Sequence, residues 1–192
     1  QILSLGVRLR TNAELGRDFT VTSLKRDGFG AIFLGLGAWA SSEMRVKGEN
    51  SPGVLSGIEF LKNFGLRRKI DIWGRVLVVG GGNTAIDCAR TALRLGVGEV
   101  RLLYRRTRNE MPANAAEIHE AEQEGVRMDF LVAPVRVIAA GDKVTALECL
   151  RMELGEPDAS GRRSPKPVRG SEFTLDCDFV ISAIGQATLV PR

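Results

Sequence analysis

The feature that most constrains this chain is a four-residue apolar run that breaks into glycines. Val76-Leu77-Val78-Val79 leads into Gly80-Gly81-Gly82-Asn83-Thr84-Ala85, and Ile86, Ala89 and Leu93 then recur at helical spacing from Asn83 to Leu95. Apolar residues without a polar alternation describe a strand covered on both faces, as in a parallel sheet. Gly80-x-Gly82-x-x-Ala85 stands at the junction of this strand and the helix. Gly80 permits the tight turn, Gly82 lets the backbone approach a pyrophosphate, and Ala85 keeps helix and strand close. Free N–H groups around Gly81, Gly82, Asn83 and Thr84 would meet that anion at the positive end of the helix. A glycine-rich turn that merely packs is the alternative, and only the flanking pattern separates the two.

That pattern continues correctly. Gly96 and Gly98 stop the helix, Val100–Tyr104 is the next strand, Asn114–Glu124 the next helix closed by Gly125, and Met128–Val132 a third strand. Strand, helix, strand, helix, strand is half of a doubly wound α/β fold. After Pro134 short strands follow, Val135–Ala139 and Val144–Glu153, joined at Gly141-Asp142 as a hairpin. Residues 155–170 read as an exposed loop, and Phe179–Ile184 as a last apolar strand ending at Gly185. Upstream, Val7–Arg10 reads as a strand, and a short helix opens at Thr20 or Thr22 and ends at Asp27-Gly28. Ala31–Leu34 reads as a buried parallel strand running into Gly35-Leu36-Gly37. Residues 39–56 read as a polar connection, Gly57–Asn63 as a short helix with Ile58 and Leu61 inward, and 65–74 as a linker.

The residue after the second strand selects the dinucleotide. An NAD site places Asp or Glu there to accept from the ribose 2′-OH. This chain has Tyr104-Arg105-Arg106-Thr107-Arg108, with no acid before Glu110. A carboxylate would repel a 2′-phosphate, whereas guanidinium groups bond it with charge assistance, so NADP(H) is the expected cofactor, held by Arg105 and Arg106. For Arg108 two readings stay open, the same phosphate or solvent. A solvated basic turn is the bland alternative for the whole cluster.

Other classes are disfavoured by composition. The net charge of +4 comes from local clusters, Arg101 to Arg108 and Arg162 to Arg169, and aromatic residues make up only 6%, so nucleic acid is not expected as a partner. The second cluster reads as a solvated loop. Cys88, Cys149 and Cys177 are scattered without a CxxC pair, which fits buried thiols in a reducing, cytoplasmic setting. His119 is the single histidine and falls in a Glu-rich helical run, so neither a Ser/His/Asp triad nor a histidine zinc site can be built. No catalytic acid or base and no metal ligand is assigned. No apolar run reaches the roughly 18–20 residues of a membrane helix, and no signal peptide is visible before the first strand. The start at Gln1, inside a structured segment, reads as that of an excised fragment.

Taken together, Val78–Asp87, Tyr104-Arg105-Arg106, Glu110-Met111-Pro112-Ala113, Met152–Asp158 and Ala183-Ile184-Gly185-Gln186 resemble the small subunit of glutamate synthase and its relatives. These are flavoenzymes of the pyridine-nucleotide-disulfide oxidoreductase superfamily. The resemblance implies an NADPH domain inserted into an FAD domain, with a hydride passing from NADPH to FAD and electrons onward through iron–sulfur clusters elsewhere in the parent chain or in a partner. It implies four segments: 1–40 as the tail of a split FAD domain, 41–73 as linker, 74–178 as a Rossmann-like NADP(H)-binding domain with a parallel sheet and a small β-meander, and 179–192 as the strand returning to the FAD domain. Gly35-Leu36-Gly37 and Gly185-Gln186 would sit near the flavin or the domain junction. The flavin's own glycine fingerprint would precede Gln1, so the fragment alone would be inactive. Partners would be the rest of the FAD domain and a large subunit or iron–sulfur protein. A ferredoxin oxidoreductase or dihydropyrimidine-dehydrogenase-like subunit is the alternative, and a non-catalytic nucleotide sensor a third reading.

Overall fold

A computed structural model describes residues 2–188 of the chain. It forms two compact units, one running up to Trp39 with Thr188 and the other spanning Ala40–Ala187.

The first unit carries one α-helix, α1 (Val21–Arg26). Thr20 caps it: its hydroxyl accepts from the Ser23 amide while Ser23 Oγ accepts from the Thr20 amide, a reciprocal capping box. Gly28, in the left-handed region at φ +92°, takes the chain away. The expected strands Val7–Arg10 and Ala31–Leu34 are not formed, and Phe33 is 95% exposed. A parallel strand exists only by hydrogen bonding to neighbours, and the described residues of this unit contain none to pair with.

The second unit runs β1 (Ala40–Ser41), β2 (Val54–Ser56), α2 (Gly57–Gly65), β3 (Arg75–Val79), α3 (Asn83–Arg94), β4 (Glu99–Tyr104), α4 (Ala115–Gln123) and β5 (Arg127–Phe130). It continues through β6 (Val132–Ala140), β7 (Lys143–Pro157), β8 (Arg163–Pro167), β9 (Phe173–Asp176), β10 (Phe179–Ser182) and β11 (Gln186–Ala187). Five strands form a parallel sheet in the order β2-β10-β3-β4-β5. β6, β7, β8 and β9 form an antiparallel sheet around β7, and β1 pairs with β11. The segment 41–73, expected as a linker holding one short helix, supplies α2 and also the edge strand β2, and the segment 179–192 supplies its expected strand as β10 in the interior of the sheet. Residues 189–192 of that segment lie outside the described residues.

Strand β3 shows why the apolar runs are continuous. Val76 and Val78 point into one core with Ile86, Ala89 and Ala92 of α3, while Leu77 and Val79 point into a second core with Val137, Leu147 and Cys149 of the antiparallel sheet. Alternate side chains serve opposite layers, so no position can be polar. Val180 and Ile181 divide between the same two cores, which is what places β10 inside the sheet. The stretch read as loop, 155–170, instead extends β7 to Pro157 and returns as β8. Pro165 and Pro167 are tolerated there because β8 pairs only with β7.

Candidate functional site

A cleft of about 560 Å³ opens at the carboxyl ends of β3, β4 and β10. Later strands lie on both sides of β3, so this is the topological switch point of the sheet, where open α/β folds hold ligands. Gly80 ends β3 with its N–H donating to Leu103 O at 3.0 Å, and the Ala183 amide donates to Val79 O at 2.8 Å. A side chain at Gly80 (φ +154°) would run into the Ala183 carbonyl, and one at Gly81 into the Tyr104 ring. That ring is itself fixed by its hydroxyl donating to Glu110 O at 2.8 Å.

Gly82 plays a different part. It is the N-cap of α3, and nothing lies within 4 Å of where its Cβ would stand. Its carbonyl accepts from Ala85 and Ile86, while no side chain caps the helix. The amides of Asn83 and Thr84 therefore have no acceptor within the helix, and they stand at its positive end beside open space.

The side chains sort less simply. Asn83 Oδ1 accepts from the Asn114 amide at 2.9 Å, so this side chain ties α3 to the start of α4 and does not line the cleft. Thr84 Oγ1 accepts from Gln186 Nε2, which holds Gln186 in the cleft wall beside Gly185, whose carbonyl accepts from the Ser42 amide.

The arginines separate further. Arg105 is exposed, lines the cleft and has no hydrogen bond or ion pair among the described residues. Arg106 also borders the cleft but is only 4% exposed; its Nε donates to Arg163 O at 2.7 Å and its Nη2 meets Asp158 Oδ2 at 2.6 Å. Arg108 is exposed at the surface. It makes a two-point pair with Glu122 of α4, both contacts at 2.6 Å, and stands off the cleft. A carboxylate within reach satisfies a guanidinium better than solvent does.

The sequence reading missed Arg162, which lines the same cleft from the turn between β7 and β8. The signal was present in Asp158-Ala159-Ser160-Gly161, a turn sequence between polar strands. Asp158 is held below the usual carboxylate range, first by the Ser160 hydroxyl and amide and then by the Arg106 charge. Met44, Ile58, Val132 and Pro134 complete an apolar wall that no motif announced.

The sequence pattern of the pyridine nucleotide-disulphide oxidoreductases matches residues 6–189. The chain belongs to this family. Among relatives of this oxidoreductase chain, the NADP(+)-dependent formate dehydrogenase subunit beta of Moorella thermoacetica is 50% identical over 189 residues, covering 97% of this chain and 27% of that protein. The NADPH-Fe(3+) oxidoreductase subunit beta of Geobacter sulfurreducens is 51% identical over 189 residues, covering 96% and 28%. The glutamate synthase [NADPH] small chain of Escherichia coli is 38% identical over 193 residues, covering 94% and 41%. The chain thus spans well under half the length of these relatives. Mycobacterium tuberculosis FprA, solved in complex with NADPH, shares the fold with a TM-score of 0.74 at 18% identity, over 91% of this chain and 54% of that one. No described helix is long and apolar enough to cross a membrane.

Proposed function

We propose that the unit Ala40–Ala187 is the NADP(H)-binding domain of a flavin-dependent oxidoreductase subunit. The observation that carries this reading is an unpartnered, exposed Arg105 in the same cleft as the uncapped start of α3. The residues fit a dinucleotide phosphate: Gly82 leaves room for a pyrophosphate, the Asn83 and Thr84 amides would bond it, and Arg105 would bond the 2′-phosphate. NADPH bound there supplies a hydride. The chain's own contribution is to bind and orient, with the apolar wall excluding water on one side.

A flavin is expected from the family resemblance, with residues 2–39 as part of the flavin domain. Among the described residues no second strand–glycine turn–helix of this kind stands ready for its pyrophosphate. For the onward acceptor, identities of 50–51% to beta subunits named for formate dehydrogenase and Fe(3+) reduction, against 38% to a glutamate synthase small chain, favour an electron-transferring beta subunit. Its partner would be a catalytic or iron–sulfur subunit.

Titration calorimetry of the full-length protein with NADP+ and NAD+ tests the reading. Arg105→Ala is expected to weaken NADP+ binding about tenfold and to leave NAD+ within about twofold, the loss of one charge-assisted bond. Equal losses for both nucleotides would reject the assignment of Arg105 to the 2′-phosphate.

A further inference from the structure

Two arginines side by side at the end of β4 look interchangeable, and the structure separates them. Arg106 is buried and occupied. Its guanidinium grips both shoulders of the β7–β8 turn, the Asp158 carboxylate at 2.6 Å and the Arg163 carbonyl at 2.7 Å. The turn closes on itself, with the Asp158 amide donating to Arg162 O at 2.7 Å and the Gly161 amide to Asp158 O at 2.8 Å. Arg162 projects from this pinned turn into the cleft wall. Its Nε donates to Ser160 Oγ at 3.0 Å, and its two terminal nitrogens have no protein partner among the described residues.

We propose that Arg162 is a ligand of the 2′-phosphate, opposite in origin to Arg105, and that Arg106 is a positioning residue that holds the hairpin carrying it. The proposal rests on the NADP(H) reading above and changes which pair of arginines makes the selection. The chemistry is that of a dianion met by two guanidinium groups, delivered from two different sheets, whose terminal nitrogens have no protein partner among the described residues. Asp158, the carboxylate nearest the pair in sequence, is already neutralised by Arg106 and bonded by Ser160. It therefore anchors the turn without cancelling the positive charge at the cleft.

The test uses the full-length protein and two probes that differ only in the phosphate at issue, adenosine 2′,5′-bisphosphate and AMP. Arg162→Ala is expected to weaken the bisphosphate about tenfold and to leave AMP within about twofold, with Arg162→Lys recovering part of the loss. Arg162→Gln, which keeps the stem and the turn, is read in the same way should the alanine variant fold poorly. Asp158→Asn, which loosens the hairpin, is expected to weaken the bisphosphate and to add nothing in the Arg162→Ala background, because it acts through Arg162. If Arg105→Ala weakens the bisphosphate and the Arg162 variants do not, this proposal is overturned while the NADP(H) reading stands. If Asp158→Asn strengthens binding, Arg106 is the ligand once released, and the proposal is again overturned. If the unsubstituted protein binds both probes equally, the NADP(H) reading fails and the proposal falls with it.

Discussion

Burial pushes the thiols of Cys88, Cys149 and Cys177 each up to about 12, the desolvation of a thiolate being the chief cause. All three are free and fully buried, so at neutral pH they are protonated apolar side chains and poor nucleophiles. In the unfolded chain these thiols release protons near their ordinary value of 9.0, whereas the folded chain retains them until about 12. The unfolded state therefore binds fewer protons across that window, and stability falls as pH rises through it, by about 1.4 kcal/mol per pH unit for each such cysteine. Thermal melts from about pH 8 to about pH 11 should show a steep alkaline decline, and Cys88→Ala should make the slope shallower while lowering the neutral-pH melting point through lost packing. Parallel curves for the two proteins would mean that Cys88 titrates alike in both states.

At the scale of elements, the contact between α3 and α4 shows how a residue in a binding motif can belong to the fold. Asn114 caps α4 by accepting from the Ala116 amide at 2.9 Å, and its own amide is satisfied by Asn83 Oδ1. Asn83→Ala removes that acceptor and is expected to cost about 1 kcal/mol in urea unfolding. Nucleotide affinity should stay within about twofold, since only the backbone of Asn83 would face the phosphate. A tenfold loss of affinity at unchanged stability would make the side chain a ligand. The elements legible in the sequence were those whose signal is local: the apolar strand, its glycine turn, the helical spacing after it and the hydroxyl cap at Thr20. Elements defined by a distant partner were not. β8 carries Pro165 and Pro167 and reads as loop until β7 is beside it, and Ala31–Leu34 reads as a strand although nothing described pairs with it. The arginines follow the same rule. The charges of Arg106 and Arg108 are legible in the sequence, but their partners are Asp158 and Glu122, brought near only by folding.

Across the whole unit Ala40–Ala187, helices cover one face of the parallel sheet and an antiparallel sheet covers the other, and the cleft lies where β3, at the centre, stops. A ligand seated there touches the ends of several strands at once, so binding should stabilise the whole unit and not a single loop. NADP+ at about a hundred times its dissociation constant should contribute about 2.7 kcal/mol. NAD+ at the same concentration, bound about tenfold more weakly, should contribute about 1.4 kcal/mol. The melting temperature should rise by several degrees with NADP+ and by roughly half as much with NAD+. Salt discriminates the cause. The arginines assigned to the 2′-phosphate line an open cleft, and at about 1 M ionic strength the screening length falls to about 3 Å. The excess shift from NADP+ over NAD+ should then shrink, whereas the shift common to both, carried by backbone amides and apolar contacts, should persist. Reading the difference between nucleotides at each salt concentration cancels the effect of salt on the protein itself. An excess that survives high salt undiminished would mean that the preference comes from shape, and that neither Arg105 nor Arg162 selects the phosphate by charge.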